Sequence, residues 1–456
     1  MLARLLSETL TRYSSHEQVE QSAQLRLKRL LRHALKHSTF YRKYYAEHGI
    51  TFKDIDALRP DDLPFVTKEI LMNNFDEVSS DPALNWRDVQ RFTENNDDHR
   101  SWFKNRYKII KSSGTSGRYG FFVYDRRAWN ILRAMLIGRA AHARVNPLRR
   151  TKLAIVLDTK GLHAGISMMG NVPRAFYDLL IIDVHEPQDA ISDKLNSFRP
   201  EILTGYANCI LMCACEQLKG RLNIKPAQVG CSGEPLTDEG RNLIFRAFDA
   251  YPTNLYASSE SVFIANSRRE CQNLHVAFDW NLLEAIDDCG MKSQDEAVGN
   301  AVLTNLYAYA FPLIRYKMND RISLHTNPCP VCGSVFPVIT TIEGRAEEML
   351  RFVRRDGSSE SVCPPFITLF DEPGIKSFRI VQKQRNRLEI QLALFEVKSA
   401  EWMIQILGTR MNDLLAKKQL LNDVQYSFVL CDDIQADEKT GKVTRIVPFV
   451  AQDNRE

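Results

Sequence analysis

Short apolar segments alternate with helix-length segments between residues 153 and 258, and this alternation most constrains the fold of the chain. The apolar segments are residues 153–157, 179–184, 201–203, 228–231 and 254–256. Strands that alternate with helices are typical of βαβ units, whose parallel sheet is covered by helices on both faces. The sequence therefore predicts an α/β fold with a mainly parallel sheet in this region.

The regions before and after this core have different patterns. Leu27, Leu30, Leu31 and Leu35 recur at helical spacing and predict an amphipathic helix over about residues 17–45. After Gly344, strand patterns at 378–381, 388–392 and 426–430 surround a helix near 401–415. We therefore predict a large N-terminal domain and a small α+β C-terminal domain.

Composition excludes several classes of protein. The 456 residues carry 60 Lys and Arg against 56 Asp and Glu, so the charge is balanced and gives no reason to expect nucleic-acid binding. No apolar run approaches the roughly 20 residues that span a bilayer, and charges follow soon after Met1, so we expect a cytoplasmic protein without a membrane span. Ten cysteines in a chain of this length do not indicate a secreted disulfide framework.

A loop rich in glycine and hydroxyl residues follows a strand-like segment at 106–110 and precedes another at 120–124. Its members, whose amides and hydroxyls are suited to surround phosphate oxygens, are Ser113, Gly114, Thr115, Ser116 and Gly117. The loop lacks the spacing and the following helix of a Walker phosphate loop, which disfavours an ordinary kinase or ATPase. A solvated hairpin turn is the alternative interpretation.

Further elements follow this loop in a fixed order. They are Gly233-Glu234-Pro235, Tyr256-Ala257-Ser258-Ser259-Glu260, Tyr316-Lys317-Met318-Asn319-Asp320 and Gly344-Arg345-Ala346-Glu347-Glu348. With the front segments at 30–45 and 63–69, they resemble the adenylate-forming ligases of the phenylacetate–CoA ligase and CapK (coenzyme F390 synthetase-like) branch. The resemblance covers nearly the whole chain, and the ordered set is more specific than any one element.

The resemblance implies how ATP and Mg²⁺ would be bound. The loop at 113–117 would surround the β- and γ-phosphates, and Glu260 would hold Mg²⁺, a hard cation that prefers oxygen ligands. The remaining ATP-binding candidates are Gly233, Glu234 and Tyr256 at adenine, Asp320 at the ribose hydroxyls, Arg345 at ribose or phosphate, and Ser259 beside Glu260.

The end of the chain resembles the catalytic lysine loop of the same family. Lys442 is the first catalytic candidate, because an ammonium group at the α-phosphate would neutralise charge as pyrophosphate leaves; Lys439 is its competitor. Glu260 and Arg345 are the other catalytic candidates that the resemblance implies. Family members swing a mobile C-terminal domain about a hinge, for which Glu347 is the candidate. The resemblance thus implies an N-terminal adenylation domain at 1–346 and a C-terminal domain at 347–456.

Cys329 and Cys332 form a Cys-x-x-Cys turn that can present two thiolates to one metal ion. This branch of the family often carries a cysteine and a histidine before such a turn, and Cys271 and His275 match them. The set predicts a structural zinc site. A redox dithiol or thiols without metal are the alternatives.

The implied reaction is activation of a carboxylic acid as an acyl-adenylate, followed by transfer to a thiol, with CoA as the first expectation and a carrier-protein thiol as another. The segment after the hinge, 351–365, differs from that of the relatives, and an amine acceptor, which would make the protein an amide ligase, stays open. A zinc-containing binding protein without catalysis is a further alternative. The sequence identifies neither the acid nor the oligomeric state, for which a homodimer stays open.

Overall fold

The computed structural model describes residues 9, 11–112, 120–140, 149–170, 172–234, 236–268, 270–287, 289–343, 350–362, 369, 370, 372, 374–394, 400–434 and 445–449. Within these ranges, the side chains of residues 140, 319, 343 and 361 are not described. The predicted phosphate loop 113–117, Arg345, Glu347, Lys439 and Lys442 lie outside the described residues.

The first part of the chain is helical. Its helices are α1 (His16–His37), α2 (Thr39–Glu47), α3 (Lys68–Asn73), α4 (Phe75–Val78) and α5 (Trp86–Glu94), with a 3₁₀ turn at Pro60–Asp62. The sequence predicted one helix over 17–45, and this is wrong at Ser38, which separates α1 from α2. The buried Ser38 hydroxyl donates to the Glu77 carbonyl and accepts from the Tyr41 amide, so it caps the second helix.

A hairpin and a helix follow. Strands β1 (Tyr107–Ser112) and β2 (Gly120–Asp125) pair antiparallel with Ser112 opposite Gly120, which confirms the strands predicted on both sides of the loop. Asp125 caps the next helix, α6 (Arg126–Met135), through the amide of Ala128. A π-helical turn at Leu136–Ala140 continues α6.

The predicted βαβ region forms parallel strands. The elements are β3 (Thr151–Leu157), α7 (Ala164–Met169), β4 (Tyr177–Asp183), α8 (Gln188–Phe198), β5 (Ile202–Tyr206), α9 (Ala207–Leu218), β6 (Gln228–Ser232), α10 (Asp238–Phe248) and β7 (Thr253–Tyr256). Strand β3 pairs with β4 and β5, β5 with β6, and β6 with β7, all parallel. Side chains from one sheet face, including Val156, Leu203 and Val229, form a core with α8, α9 and α10.

Six antiparallel strands continue the same sheet. They are β8 (Ala265–Arg268), β9 (Cys271–Val276), β10 (Asn281–Ile286), β11 (Gly299–Asn305), β12 (Tyr316–His325) and β13 (Val338–Glu343). The order across the 11 strands is β10-β11-β12-β13-β9-β8-β7-β6-β5-β3-β4. This half of the sheet shares a hydrophobic core with α1, α2, the β1–β2 hairpin and α6.

The C-terminal part has a separate core. Its elements are β14 (Leu350–Val353), β15 (Ser359–Val362), β16 (Ile375–Gln384), β17 (Arg387–Leu394), α11 (Ala400–Lys417), β18 (Gln425–Leu430) and β19 (Ile446–Val447). Strands β16 to β19 form a four-stranded sheet whose side chains pack on α11. The α/β fold with a smaller α+β C-terminal part is thus confirmed, while the domain boundary at 346/347 stays a prediction.

Among the described residues, every helix is too short or too polar to cross a membrane.

One buried ion pair connects distant parts of the first core. The Arg139 guanidinium donates two hydrogen bonds of 2.7 Å to the Asp279 carboxylate, whose side chain is fully buried. Arg139 also donates to the Thr9 carbonyl, and the Tyr13 hydroxyl donates to Asp279. The pair therefore holds the N-terminal segment against the π-helical turn and the turn before β10.

Removal of this carboxylate tests the importance of the ion pair. We expect Asp279→Ala to lower the free energy of unfolding by about 3–5 kcal/mol, because the guanidinium is left buried without a counter-charge. Asp56→Ala, which removes the exposed partner of Arg32, is the control and should cost about 0–1 kcal/mol. Denaturant unfolding measures the stability loss in both variants. Equal losses would contradict the conclusion that the buried ion pair holds these segments together.

Candidate functional site

A cavity of about 610 Å³ lies at the edge of the sheet where strands β3, β5, β6 and β7 have their carboxyl ends. Ligands of open α/β sheets bind at this edge, because loops of separate strands diverge there. Among the lining residues are six of the predicted ATP- and magnesium-binding residues: Gly233, Glu234, Tyr256, Ser259, Glu260 and Asp320. Elements separated by up to about ninety residues in the sequence therefore meet in one cavity.

Tyr256 and Asp320 are in direct contact. Tyr256 is the last residue of β7, and its hydroxyl donates a 2.8 Å hydrogen bond to Asp320 Oδ2 on β12. Burial raises the pKa of Tyr256, and the negative charge of Asp320 raises it further, so the phenol remains a donor. The pair fixes both an aromatic ring and a carboxylate on the cavity wall.

Glu260 lies in the turn between β7 and β8. Its Oε1 accepts a 3.0 Å hydrogen bond from the Tyr316 hydroxyl, and its carbonyl accepts one from the buried Asn305 amide. Burial raises the pKa of Glu260, whereas hydrogen bonds and the positive charge of Lys68 lower it. The net shift is upward. A shielded carboxylate that borders a cavity fits a hard cation such as Mg²⁺.

The Gly233-Glu234 turn follows β6. Gly233 has a φ of +77°, and a Cβ there would lie 2.9 Å from Tyr206 Cδ1, so both conformation and space favour glycine. Glu234 Oε2 accepts a 2.8 Å hydrogen bond from the Asn208 amide in the first turn of α9. The carboxylate therefore stabilises a helix N-terminus, while the Gly233 backbone borders the cavity.

Three cations at the cavity were not among the predicted site residues: Lys68, Lys111 and Arg445. Lys68, in the first turn of α3, lines the cavity, and its Cε would lie 2.9 Å from a Cβ on Gly120, at the base of the predicted phosphate loop. Arg445, just before β19, also lines the cavity and stacks over the Phe378 ring at 4.8 Å. The only sequence signal for Lys68 was its place in the front segment 63–69, and the only signal for Arg445 was its place at the end of the segment 437–445 that resembles the lysine loop.

The predicted metal ligands form a separate group. The ligand atoms of Cys271, His275, Cys329 and Cys332 all lie within 4.8 Å of one another. Cys271 and His275 share one face of β9, and β13 pairs with that strand with Val338 opposite His275. The Cys329–Cys332 turn precedes β13 and closes with a hydrogen bond from the Gly333 amide to the Cys329 carbonyl, with Gly333 at a φ of +67°.

The separations within this group fit a tetrahedral zinc site. Two sulfur ligands with Zn–S bonds of about 2.3 Å would lie about 3.8 Å apart, and Cys271 Sγ lies 3.7 Å from Cys329 Sγ. His275 Nε2 lies 3.9 Å from Cys271 Sγ and 3.3 Å from Cys332 Sγ.

Charge and protonation in this group also suit a metal ion. Burial lowers the pKa of His275 to about 4, so the ring is neutral and can act as a ligand. Burial alone would raise the pKa of Cys329, but hydrogen bonds from the Asn273 side chain and nearby amides lower it to about 7. The Asn273 hydrogen bond joins Nδ2 to Cys329 Sγ over 3.4 Å and favours the thiolate.

A second group of possible ligands lies at the ends of β3 and β4. It comprises Asp158, Asp183 and His185, with Asp158 on the cavity wall and its Oδ2 3.8 Å from His185 Nε2. Asp158 accepts from the Lys160 amide, and Asp183 from the Thr159 hydroxyl and the His185 amide. These contacts explain the group as loop-stabilising interactions.

Comparisons with known proteins agree with this architecture. The chain is 22% identical over 382 residues to Protein CapK of Staphylococcus aureus, in an alignment that covers 79% of this chain and 75% of CapK. It is 26% identical over 363 residues to phenylacetate-coenzyme A ligase of Thermus thermophilus, which covers 75% of this chain and 73% of that ligase. No family model matches the chain.

Solved structures of 2-hydroxyisobutyryl-CoA ligase have the same fold. Its complex with 2-HIB-AMP and CoA in the thioesterification state matches with a TM-score of 0.61 at 19% identity, over 96% of this chain and 91% of that one. Its postadenylation state with 2-HIB-AMP gives a TM-score of 0.56, over 94% and 89%. The predicted resemblance is thus confirmed: the chain is related to the proteins named CapK and phenylacetate-coenzyme A ligase, and its fold is that of an adenylate-forming acyl-CoA ligase.

Proposed function

We propose that the protein is an ATP-dependent ligase that activates a carboxylic acid as an acyl-adenylate and then transfers the acyl group to a thiol, with CoA as the first expectation. The observation that supports this most is the convergence of Gly233, Tyr256, Glu260 and Asp320 on one cavity. The names of relatives agree, because one is a CoA ligase and a solved neighbour binds an acyl-AMP and CoA.

The cavity offers complementary groups for a nucleoside. The Tyr256 ring would pack on adenine beside the Gly233-Glu234 backbone, with Ser259 nearby. Asp320 would accept hydrogen bonds from the ribose hydroxyls. The Tyr256 hydroxyl donates to Asp320 and holds this carboxylate on the cavity wall, where a ribose would meet it.

The proposed phosphate-binding end of the cavity is supported by residues that lie next to three predicted segments. These residues are Ser112, Ile342 and Arg445, and all three line the cavity. In the sequence, Ser112 precedes the loop 113–117, Arg345 comes three residues after Ile342, and Lys442 comes three residues before Arg445. Three residues of chain span at most about 10 Å. These candidates can therefore contribute to one site with Lys68.

The reaction follows from these groups. A carboxylate oxygen of the acid attacks the α-phosphorus, the bond to the bridging oxygen breaks, and pyrophosphate leaves with the electron pair. The Lys442 ammonium and the Arg345 guanidinium would stabilise the charge that develops on the phosphoryl oxygens, and the loop at 113–117 would hold the departing phosphates. Mg²⁺ held by Glu260 would neutralise phosphate charge.

The second step exchanges AMP for a thiol. The sulfur attacks the acyl carbon, the carbon–oxygen bond to AMP breaks, and the thiol proton passes to solvent. We propose Glu347 as the hinge for rotation of the C-terminal domain, 347–456, between the two steps. An amine acceptor or a binding protein without catalysis would be the alternatives.

ATP–pyrophosphate exchange with a panel of carboxylic acids tests the first step. We expect acid-dependent exchange that falls by about a hundredfold or more in Lys442→Ala and in Asp320→Ala, because transition-state contacts are lost. Lys225→Ala removes an exposed lysine outside the cavity and should exchange like the original protein. Folded protein that exchanges with no acid would contradict the proposal.

The pH dependence of magnesium activation tests Glu260 separately. Because burial raises the pKa of Glu260, a larger share of the group is protonated at a given pH than of an exposed glutamate. Mg²⁺ needs the ionised carboxylate, so the magnesium concentration for half-maximal exchange should fall as pH rises through this pKa. Glu260→Gln should raise that concentration and remove the pH dependence; a pH dependence retained in Glu260→Gln would exclude Glu260 as the ligand.

We also propose that Cys271, His275, Cys329 and Cys332 hold one structural Zn²⁺. The ion would connect β9 to the turn before β13, a contact between segments more than fifty residues apart. A closed site with four protein ligands has no open position for chemistry, so its contribution is to stability.

Metal content and thermal unfolding test the zinc proposal. We expect about one zinc per chain, a lower melting temperature after chelation, and loss of zinc in Cys329→Ser, because a closed structural site uses all four ligands. Cys289→Ser changes an exposed cysteine outside the group and is the matched control. Protein purified without zinc whose Cys271 and Cys329 form a disulfide would support the redox alternative instead.

A further inference from the structure

The cavity extends beyond the nucleotide edge, along one face of the parallel strands. Alternate residues of a strand point to the same face. The alternate residues that line the cavity are Leu153, Ile155 and Leu157 on β3, Ile202, Thr204 and Tyr206 on β5, and Gln228, Gly230 and Ser232 on β6. The intervening residues, such as Leu203 and Val229, pack on the opposite face against helices. The cavity therefore has the sheet itself as its floor.

The opposite wall is apolar. It is formed by the end of α6, the π-helical turn, and α7 with the residues that follow, and its lining side chains are Leu132, Leu136, Ile137, Met168, Met169 and Val172. Flexible methionines in such a wall can adapt to different apolar groups. The described residues of this wall are uncharged, unlike those at the nucleotide end.

The channel is long. Ser232 lies at the carboxyl end of β6, and Gln228 lies four residues away at its amino end. At the rise of a strand this distance is about 13 Å, the length of an extended chain of roughly ten carbons. Phenylacetate is much shorter and would leave the far half unfilled.

Gly230 lies in the middle of this floor. A Cβ at this position would lie 2.8 Å from Thr204 Oγ1 and 3.7 Å from Thr253 Oγ1, so neighbouring side chains already border the glycine. Because glycine has no side chain, the channel stays open at this position between its two ends. A larger residue would block the passage from Ser232 to Gln228.

The far end carries a polar group among apolar ones. Gln228 lines the cavity there with Ile202, Pro173 and Tyr177. Its Oε1 has almost no accessible surface, so a ligand in the cavity does not reach that atom, and the contacts offered at this end are mainly apolar.

As a deeper reading that rests on the proposed function, we propose that the acid is an elongated, largely apolar molecule that lies along this sheet face. Its carboxylate lies near Ser232, beside the nucleotide, and its apolar end lies near Ile202 and Tyr177. Gly230 is then a specificity-determining residue, because its lack of a side chain leaves room for a long acid.

The test compares two acids of different length in ATP–pyrophosphate exchange, phenylacetate and decanoate. We expect kcat/KM to be higher for decanoate than for phenylacetate. Gly230→Leu should lower the decanoate-to-phenylacetate ratio by about tenfold or more, since even one misfitting methylene changes selectivity by that order.

Ala227→Leu is the matched control, because it adds the same bulk one residue before β6 at an exposed position outside the cavity. The decanoate-to-phenylacetate ratio should be unchanged in this variant. Exchange that favours phenylacetate, with a ratio that Gly230→Leu does not alter, would overturn the inference and leave the proposed function standing. Exchange with no acid would instead contradict the proposed function itself.

Discussion

The change from parallel to antiparallel pairing at β7 is the constraint on which the candidate site depends. Strand β7 pairs parallel with β6 and antiparallel with β8, so the chain must reverse immediately after Tyr256. Buried hydrogen bonds hold this reversal: the Tyr124 hydroxyl donates to the Ser259 carbonyl, and Ser261 contacts Asn281. The reversal places groups from the parallel strands beside groups from β12. Without it, Tyr256 and Asp320 would lie at different edges of the protein.

Local sequence patterns were sufficient where structure depends on near neighbours. The parallel strands, the hairpin around the loop and α11 follow from periodicity over a few residues, and they were predicted. Tyr256, Glu260 and Asp320 were identified because each lies in a short element with a recognisable order. The break at Ser38 was missed because it depends on a hydrogen bond to the Glu77 carbonyl, a contact that the helical pattern of the segment does not contain.

Contacts between distant segments limited the prediction elsewhere. Continuation of the parallel sheet by six antiparallel strands depends on pairings such as Val338 with His275, which no local pattern specifies. The same pairing brings Cys271 and His275 to the Cys329–Cys332 turn, so spacing alone identified only half of the proposed ligand set. Lys68 approaches Glu260 from a helix nearly two hundred residues earlier, and for that reason its position at the cavity became evident only in the folded chain.

The two faces of the parallel strands have opposite roles. On one face, residues such as Val156, Leu203 and Val229 are fully buried against helices and contribute to stability. On the cavity face, Leu153, Ile155 and Leu157 of β3 are also buried, but Thr204, Gly230 and Gln228 of β5 and β6 are only half-buried. Small and polar residues there forgo hydrophobic burial that large apolar residues would provide. A floor of this kind is expected where a ligand, and not the protein, supplies the missing apolar contacts.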